Sequence, residues 1–223
     1  GYGDFMLKPD LSTLRLLRHE GGMAAFDTTI DPEDLLPENI KRNRVGAIVE
    51  EQTAKFRAGD RSRREYHAIT RGWILNELFR RVDPAGRTIG EYLQEDISAP
   101  QGADAYIGVP EKELSRISRV KSLGFGFQFI ESLKPRFMGR RITHGIVQIL
   151  GRILKVLPSM RHATTRGAPP PCKGMKGLDF FNETIGARGE TPSAAAKCSA
   201  RGLAKIAAMM SEGGTWERQE YLG

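Results

Sequence analysis

Residues 65–110, EYHAITRGWILNELFRRVDPAGRTIGEYLQEDISAPQGADAYIGVP, decide the fold. Leu75, Leu78, Phe79 and Val82 repeat at i, i+3, i+4 and i+7, which places them on one face of a helix. Trp73 and Ile74 widen that face, so the spacing predicts a buried helix opened by Tyr66. Asp83-Pro84 and Gly86 stop it, because proline lacks the amide hydrogen and its ring obstructs a continuing helix. Thr88 and Glu91 then form a Thr-x-x-Glu capping pattern, and Ile89, Tyr92, Leu93 and Ile97 line a second helix.

Working outward, Ser12 caps a short helix that reaches His19 and ends at Gly21-Gly22. Asp31-Pro32-Glu33-Asp34 opens another, with carboxylates at the positive end of the helix dipole. One longer amphipathic helix is expected after it, with Ile40, Val45, Ile48, Val49 and Phe56 apolar. Residues 1–9 read as an irregular lead-in and 57–60 as a turn. Over 112–129, the glycines and the alternation of Phe125, Phe127 and Phe129 suggest a loop with one short strand. An apolar helix is expected over 142–157, stopped by Pro158, then a Pro/Gly-rich turn over 166–171. A last helix over 199–211 uses Leu203, Ile206, Ala207 and Met210 and ends at Gly213-Gly214. The chain is mostly helix with little strand.

Composition bounds the rest. A chain of 223 residues, 39% hydrophobic, builds one core, and a single domain over 1–223 is expected. Nothing approaches the length of a transmembrane run and no signal-peptide pattern opens the chain, which tilts the expected location toward the cell interior. Cys172 and Cys198 lack metal-ligand spacing and read as free thiols. His19, His67, His144 and His162 show no ligand spacing, so no metal site is expected. His67 is expected at the surface or half-buried. Gly124-Phe125-Gly126 lacks the lysine and helix start of a phosphate loop.

The net charge of +7 is uneven. Residues 132–178 hold ten Lys or Arg and no Asp or Glu, so removing that +10 leaves −3 for the rest. This insertion-like basic segment admits three readings. It is a solvated face, or a surface-lying amphipathic helix over 142–157 that contacts anionic lipid or a protein partner, or a nucleic-acid binder. Nucleic acid is disfavoured, since only Phe137 is aromatic within the block and no recognised motif accompanies it.

Tyr66-His67-Ala68-Ile69-Thr70-Arg71-Gly72-Trp73 resembles the serine beta-lactamase-related family, in its class C-like, esterase and animal beta-lactamase-domain branch. Three further stretches are similar to the family in order and spacing: 13–22, Ile107-Gly108-Val109-Pro110-Glu111, and Pro192-Ser193-Ala194 with the following 200–205. The resemblance implies the penicillin-recognition α/β (α+β) fold, of which this chain is mainly the helical region. It also implies acyl transfer on a small ester or amide without a cofactor. In that chemistry a serine of a Ser-x-x-Lys helix attacks the carbonyl, and a tyrosine paired with the lysine moves the proton. A Lys-Thr-Gly or His-x-Gly strand helps to stabilise the oxyanion.

By this resemblance Tyr66 is the catalytic base. Ala68, where true lactamases carry asparagine, leans the reading toward esterases. Without the resemblance, Tyr66 reads as a helix-start tyrosine with its ring in the core and its hydroxyl wet. The one Ser-x-x-Lys, Ser118-Arg119-Val120-Lys121, follows the tyrosine instead of preceding it and reads as coincidence. The family's serine and strand motifs are thus expected outside 1–223, leaving a domain incomplete at both ends, inactive alone and prone to aggregate or to need a partner. The alternative is a non-catalytic interaction or scaffold protein that binds through its basic helix.

Overall fold

The computed structural model describes residues 12–56, 64–161, 163, 165–216 and 219–220. The lead-in over 1–9, the turn over 57–60 and His162 lie outside the described residues. The first described element is α1 (Thr13–Leu17), capped by Ser12, whose hydroxyl accepts from Arg15 N at 3.3 Å. Leu16 is buried. The chain then turns through left-handed backbone at His19 (φ 63°) and Gly22 (φ 69°). A Cβ on Gly22 would stand 2.5 Å from the Phe56 carbonyl oxygen, so only glycine fits that turn.

The long helix expected after Asp31 is three short pieces. Asp31 caps a 3-10 turn, Pro32–Leu35, followed by α2 (Pro37–Lys41) and α3 (Arg44–Glu51). The residue before a proline avoids helical backbone, and Leu36 (ψ 141°) obeys that rule before Pro37. Asn43 at φ 61° makes the second break. Leu35, Ile40, Val45 and Val49 are all buried despite the interruptions.

At the centre lies α4 (Thr70–Val82), which begins four residues after Tyr66. Its buried face is Thr70, Trp73, Ile74 and Glu77, whereas Leu75, Leu78 and Phe79 are half-buried and Val82 is exposed. The expected face is therefore rotated by one residue, about 100°. The reason is polar. Asn76 and Glu77 find partners inside, with Arg80 Nη2 2.7 Å from Glu77 Oε2 and Asn76 Nδ2 donating to Glu190 Oε2 at 2.8 Å. Asp83-Pro84 ends α4. The Asp83 carboxylate accepts from the Arg87 guanidinium, Nη2 at 2.9 Å, and from Arg87 N at 2.9 Å, and these bonds lower its pKa to about 2.

Thr88 and Glu91 make both bonds of the capping box at the start of α5 (Ile89–Tyr92), which continues as π-helical turns over Leu93–Ser98. Beyond β1 (Ala105–Tyr106) and a 3-10 turn at Glu111–Arg116, the expected strand at Phe125 is instead α6 (Phe125–Leu133). In a helix, Phe125 and Phe129 share a face, and their rings stack at 6.3 Å. The basic-segment helix α7 (Ile146–Arg161) starts later than expected and continues through Pro158, where a stop was expected.

Last come α8 (Thr184–Arg188), β2 (Lys197–Cys198), α9 (Ala200–Ser211), and the hairpin of β3 (Thr215–Trp216) with β4 (Gln219–Glu220). β1 and β2 pair antiparallel, Ala105 opposite Cys198. Ser199 caps α9, accepting from Gly202 N at 3.0 Å, and Gly213 and Gly214 end it at positive φ. Leu203 and Met210 point out, contrary to expectation, while Gly202 and Met209 are buried. A Cβ on Gly202 would come 2.5 Å from the Asp104 carbonyl oxygen, so the helix presses its glycine face inward. The core joins Leu16, Phe26, Trp73, Ile74, Cys172 and Phe180. Cys172 and Cys198 are free, and burial pushes the Cys172 thiol up to about 12. The described residues are thus mostly helix, with two ladders of two short strands each.

Candidate active site

Tyr66 projects from the extended segment before α4, with 67% of its surface exposed. Its ring lies against His19, centroids 4.8 Å apart, so it is not the core tyrosine that spacing alone suggests. Both its neighbours are fastened to the same residue: Glu65 N donates to His19 O at 3.1 Å, and His67 N donates to His19 Nδ1 at 3.0 Å. His19, itself on left-handed backbone, thus meets the segment 65–67 with both its carbonyl and its ring. Both ring nitrogens of His19 face donors, His67 N at Nδ1 and Arg71 Nη1 3.1 Å from Nε2, and a neutral imidazole accepts from only one of them at a time. Burial, with Arg71 and Arg64 adding to it, holds the His19 pKa below the usual histidine range.

His67 is fully buried, contrary to expectation. Its Nε2 accepts from Met23 N at 3.0 Å, so Nδ1 holds the proton and donates to Glu65 O at 2.6 Å. Thr70 Oγ1 donates to Met23 O at 2.7 Å. Both ring nitrogens are spent on backbone, and burial lowers the pKa, so this imidazole is a neutral pin under the tyrosine. The end of the basic segment passes alongside, where Thr165 N donates to Glu65 Oε1 at 3.4 Å.

Ser118 and Lys121 are exposed and lie outside any helix, so residues i and i+3 do not share a helical face there. Between them Val120 is clipped by Asn182, whose amide accepts from Val120 N and donates to Val120 O, each at 2.7 Å. Gly124 precedes α6, and a Cβ added there would meet nothing within 4 Å. Among the described residues, no group of three His, Cys, Asp or Glu could hold a metal ion.

Sequence reasoning missed Glu190. This carboxylate is buried where three elements meet: Thr88 Oγ1 donates to it at 2.6 Å, Asn76 Nδ2 at 2.8 Å and Gly90 N at 3.3 Å. Burial outweighs those donors and raises its pKa to about 7. A Cβ on Gly90 would stand 2.5 Å from Glu190 Oε1, which is why glycine occupies that cap. The signal available was its position, two residues before Pro192-Ser193-Ala194. A cavity of about 240 Å³ borders it, lined also by Gln94, Tyr106, Gly108 and Arg188, away from Tyr66.

The four separated stretches singled out in the sequence thus meet around α4. Gly72 lets Ser193 approach, its would-be Cβ 2.5 Å from Ser193 N. Trp73 Nε1 donates to Thr191 Oγ1 at 3.2 Å, Gly108 packs on Glu190, and His19 holds the segment before the helix. The beta-lactamase family model matches residues 7–220. The chain belongs to the beta-lactamase family.

Among solved structures, this beta-lactamase-family chain is similar to a family VIII carboxylesterase at 21% identity and TM-score 0.67, covering 100% of this chain and 49% of that one. It is similar to a penicillin-binding protein homologue from Caulobacter crescentus at 24% identity and TM-score 0.58, covering 95% and 46%. EstA from Arthrobacter nitroguajacolicus Rue61a gives 22% identity and TM-score 0.58, covering 88% and 43%. These are likenesses of fold, and the chain spans about half the length of each structure. No curated protein matches it.

Proposed function

We propose that this chain is the helical lobe of a serine hydrolase that transfers an acyl group from a small ester or amide, with Tyr66 taking and returning the proton. The observation that carries the reading is the placement of Tyr66: an exposed phenol on a segment whose two neighbours both bond to His19. A general base must wait at a fixed point that substrate can reach. As a serine Oγ attacks the carbonyl carbon, its proton passes to the phenolate oxygen. The phenol then returns that proton to the leaving alkoxide or amine, and water repeats the cycle on the acyl-enzyme. The serine and its lysine belong on a helix, where i and i+3 meet; Ser118 and Lys121, outside any helix, do not fill that role. Ala68 in place of asparagine, together with a family VIII carboxylesterase among the structural neighbours, favours esters.

Fluorophosphonate labelling tests this. Residues 1–223 alone are expected to stay unlabelled. A polypeptide that places a Ser-x-x-Lys helix before them is expected to label, with Tyr66→Phe slowing the reaction about 100-fold or more. Unchanged labelling in Tyr66→Phe would remove the tyrosine from the mechanism. The alternative, a non-catalytic interaction or scaffold protein, draws on the exposed apolar side chains of α6 and α7. A polypeptide with Ser-x-x-Lys in place that never labels would decide for it.

A further inference from the structure

The hairpin of α6 and α7 is built inside out. On α6 the buried residues are Glu131 and Ser132, near its C-terminal end, whereas Phe125 is 83% exposed, with Phe129, Ile130 and Leu133 also exposed. Glu131 closes the elbow from within, pairing with Lys134 and accepting from Arg141 N at 2.8 Å. Phe137, at the tip of that elbow, is 89% exposed. On α7, successive residues turn about 100°, which sets Val147, Leu150, Ile153, Leu154 and Leu157 on one arc and Gln148, Arg152 and Lys155 on the other. That apolar arc is exposed too, Val147 by 79% and Leu154 by 69%. The central hydrophobic cluster contains no residue of 120–160.

We propose that this hairpin docks on an anionic lipid bilayer, its phenylalanines and aliphatic side chains entering the headgroup boundary and its cations meeting acidic headgroups. Three observations select that occupant. Residues 132–178 carry ten cations and no acid, and among the described residues Arg136, Arg152, Lys155, Arg166 and Lys176 have no carboxylate partner. A second copy of the same segment would bring ten more cations and no acid, whereas phosphatidylserine or phosphoinositide headgroups neutralise such cations directly. The apolar surface spans two helices and a tip, wider than the narrow i, i+3, i+4, i+7 stripe a protein groove grips. The hairpin lies on the bilayer and does not cross it. None of the described helices is long and apolar enough, and α7, with 16 residues, extends about 24 Å against a hydrocarbon core of about 30 Å.

Flotation of the full chain with vesicles tests the proposal, independently of any hydrolase activity. On phosphatidylcholine vesicles containing about one-third phosphatidylserine, binding is expected to exceed that on pure phosphatidylcholine about tenfold, and to fall steeply toward ~0.5 M salt. The exposed pairs Val147→Asp with Leu154→Asp, and Arg152→Glu with Lys155→Glu, are each expected to lower binding about tenfold with the urea midpoint unchanged. Absence of flotation at low salt, equal binding to neutral vesicles, or wild-type binding by both variants would overturn it. A concentration-dependent dimer in light scattering that Leu154→Asp dissolves would give the face to a second copy instead.

Discussion

α4 and α7 look alike as sequences, each an apolar helix threaded with arginines, yet the structure uses them in opposite ways. In α4 the large side chain Trp73 is sealed and even the charged Glu77 is fully buried beside Arg80. In α7 the aliphatic side chains face out and the hairpin keeps its carboxylate inside. Apolar periodicity reports that a helix has a face; only partners elsewhere in the chain decide whether that face becomes core. α4 finds them at residues 16–30 and 180–195, and α7 finds none within the central cluster.

The contrast can be broken by mutation. Trp73→Ala is expected to cost about 3–5 kcal/mol in urea unfolding, because it empties the centre of the core and removes the bond to Thr191. A loss near 1 kcal/mol would mean that α4 is not the hub. Glu190 sharpens the comparison through pH. Its folded pKa, about 7, lies above its unfolded value of 4.5, so its stabilisation is full below pH 4.5 and is lost as pH rises through 7. A shift of that size corresponds to about 3 kcal/mol between acid and alkaline limits, and Glu190→Gln is expected to flatten that alkaline decline. His67 works with the opposite sign. Its folded pKa is depressed, so its contribution is full above about 6.5 and falls with acidification. His67→Gln is expected to remove that acid limb in the same titration. Removing the α9 cap with Ser199→Ala is expected to cost about 1 kcal/mol. Leu154→Ala on α7 is expected to stay within about 0.5 kcal/mol, since its side chain loses no buried contact.

Local chemistry was legible in the sequence: the caps at Ser12, Asp31 and Thr88, the stop at Asp83-Pro84, the glycine end of α9 and the two free thiols all stand as read. The resemblance supplied the family and the helical lobe. What stayed hidden depended on distant partners. The rotation of α4 follows from Asn76 meeting a glutamate 114 positions away, and the inward glycine face of α9 from the backbone at Asp104. Phe125, Phe127 and Phe129 satisfy a strand's alternation and a helix's i, i+4 spacing alike, so spacing alone could not choose. Glu190 carried no motif, and its importance lies wholly in three donors from two distant places, Asn76 on α4 and Thr88 with Gly90 at the start of α5. Tyr66 was found by resemblance; its exposure and its double tie to His19 were not readable from its neighbours.

The role given to Tyr66 meets its most direct test in a paired substitution, made in a polypeptide with a Ser-x-x-Lys helix ahead of these residues and read by fluorophosphonate labelling. Loss of labelling in Tyr66→Phe, with Ser118→Ala labelling like the parent, is the predicted result. Labelling that survives in Tyr66→Phe and disappears in Ser118→Ala would contradict it.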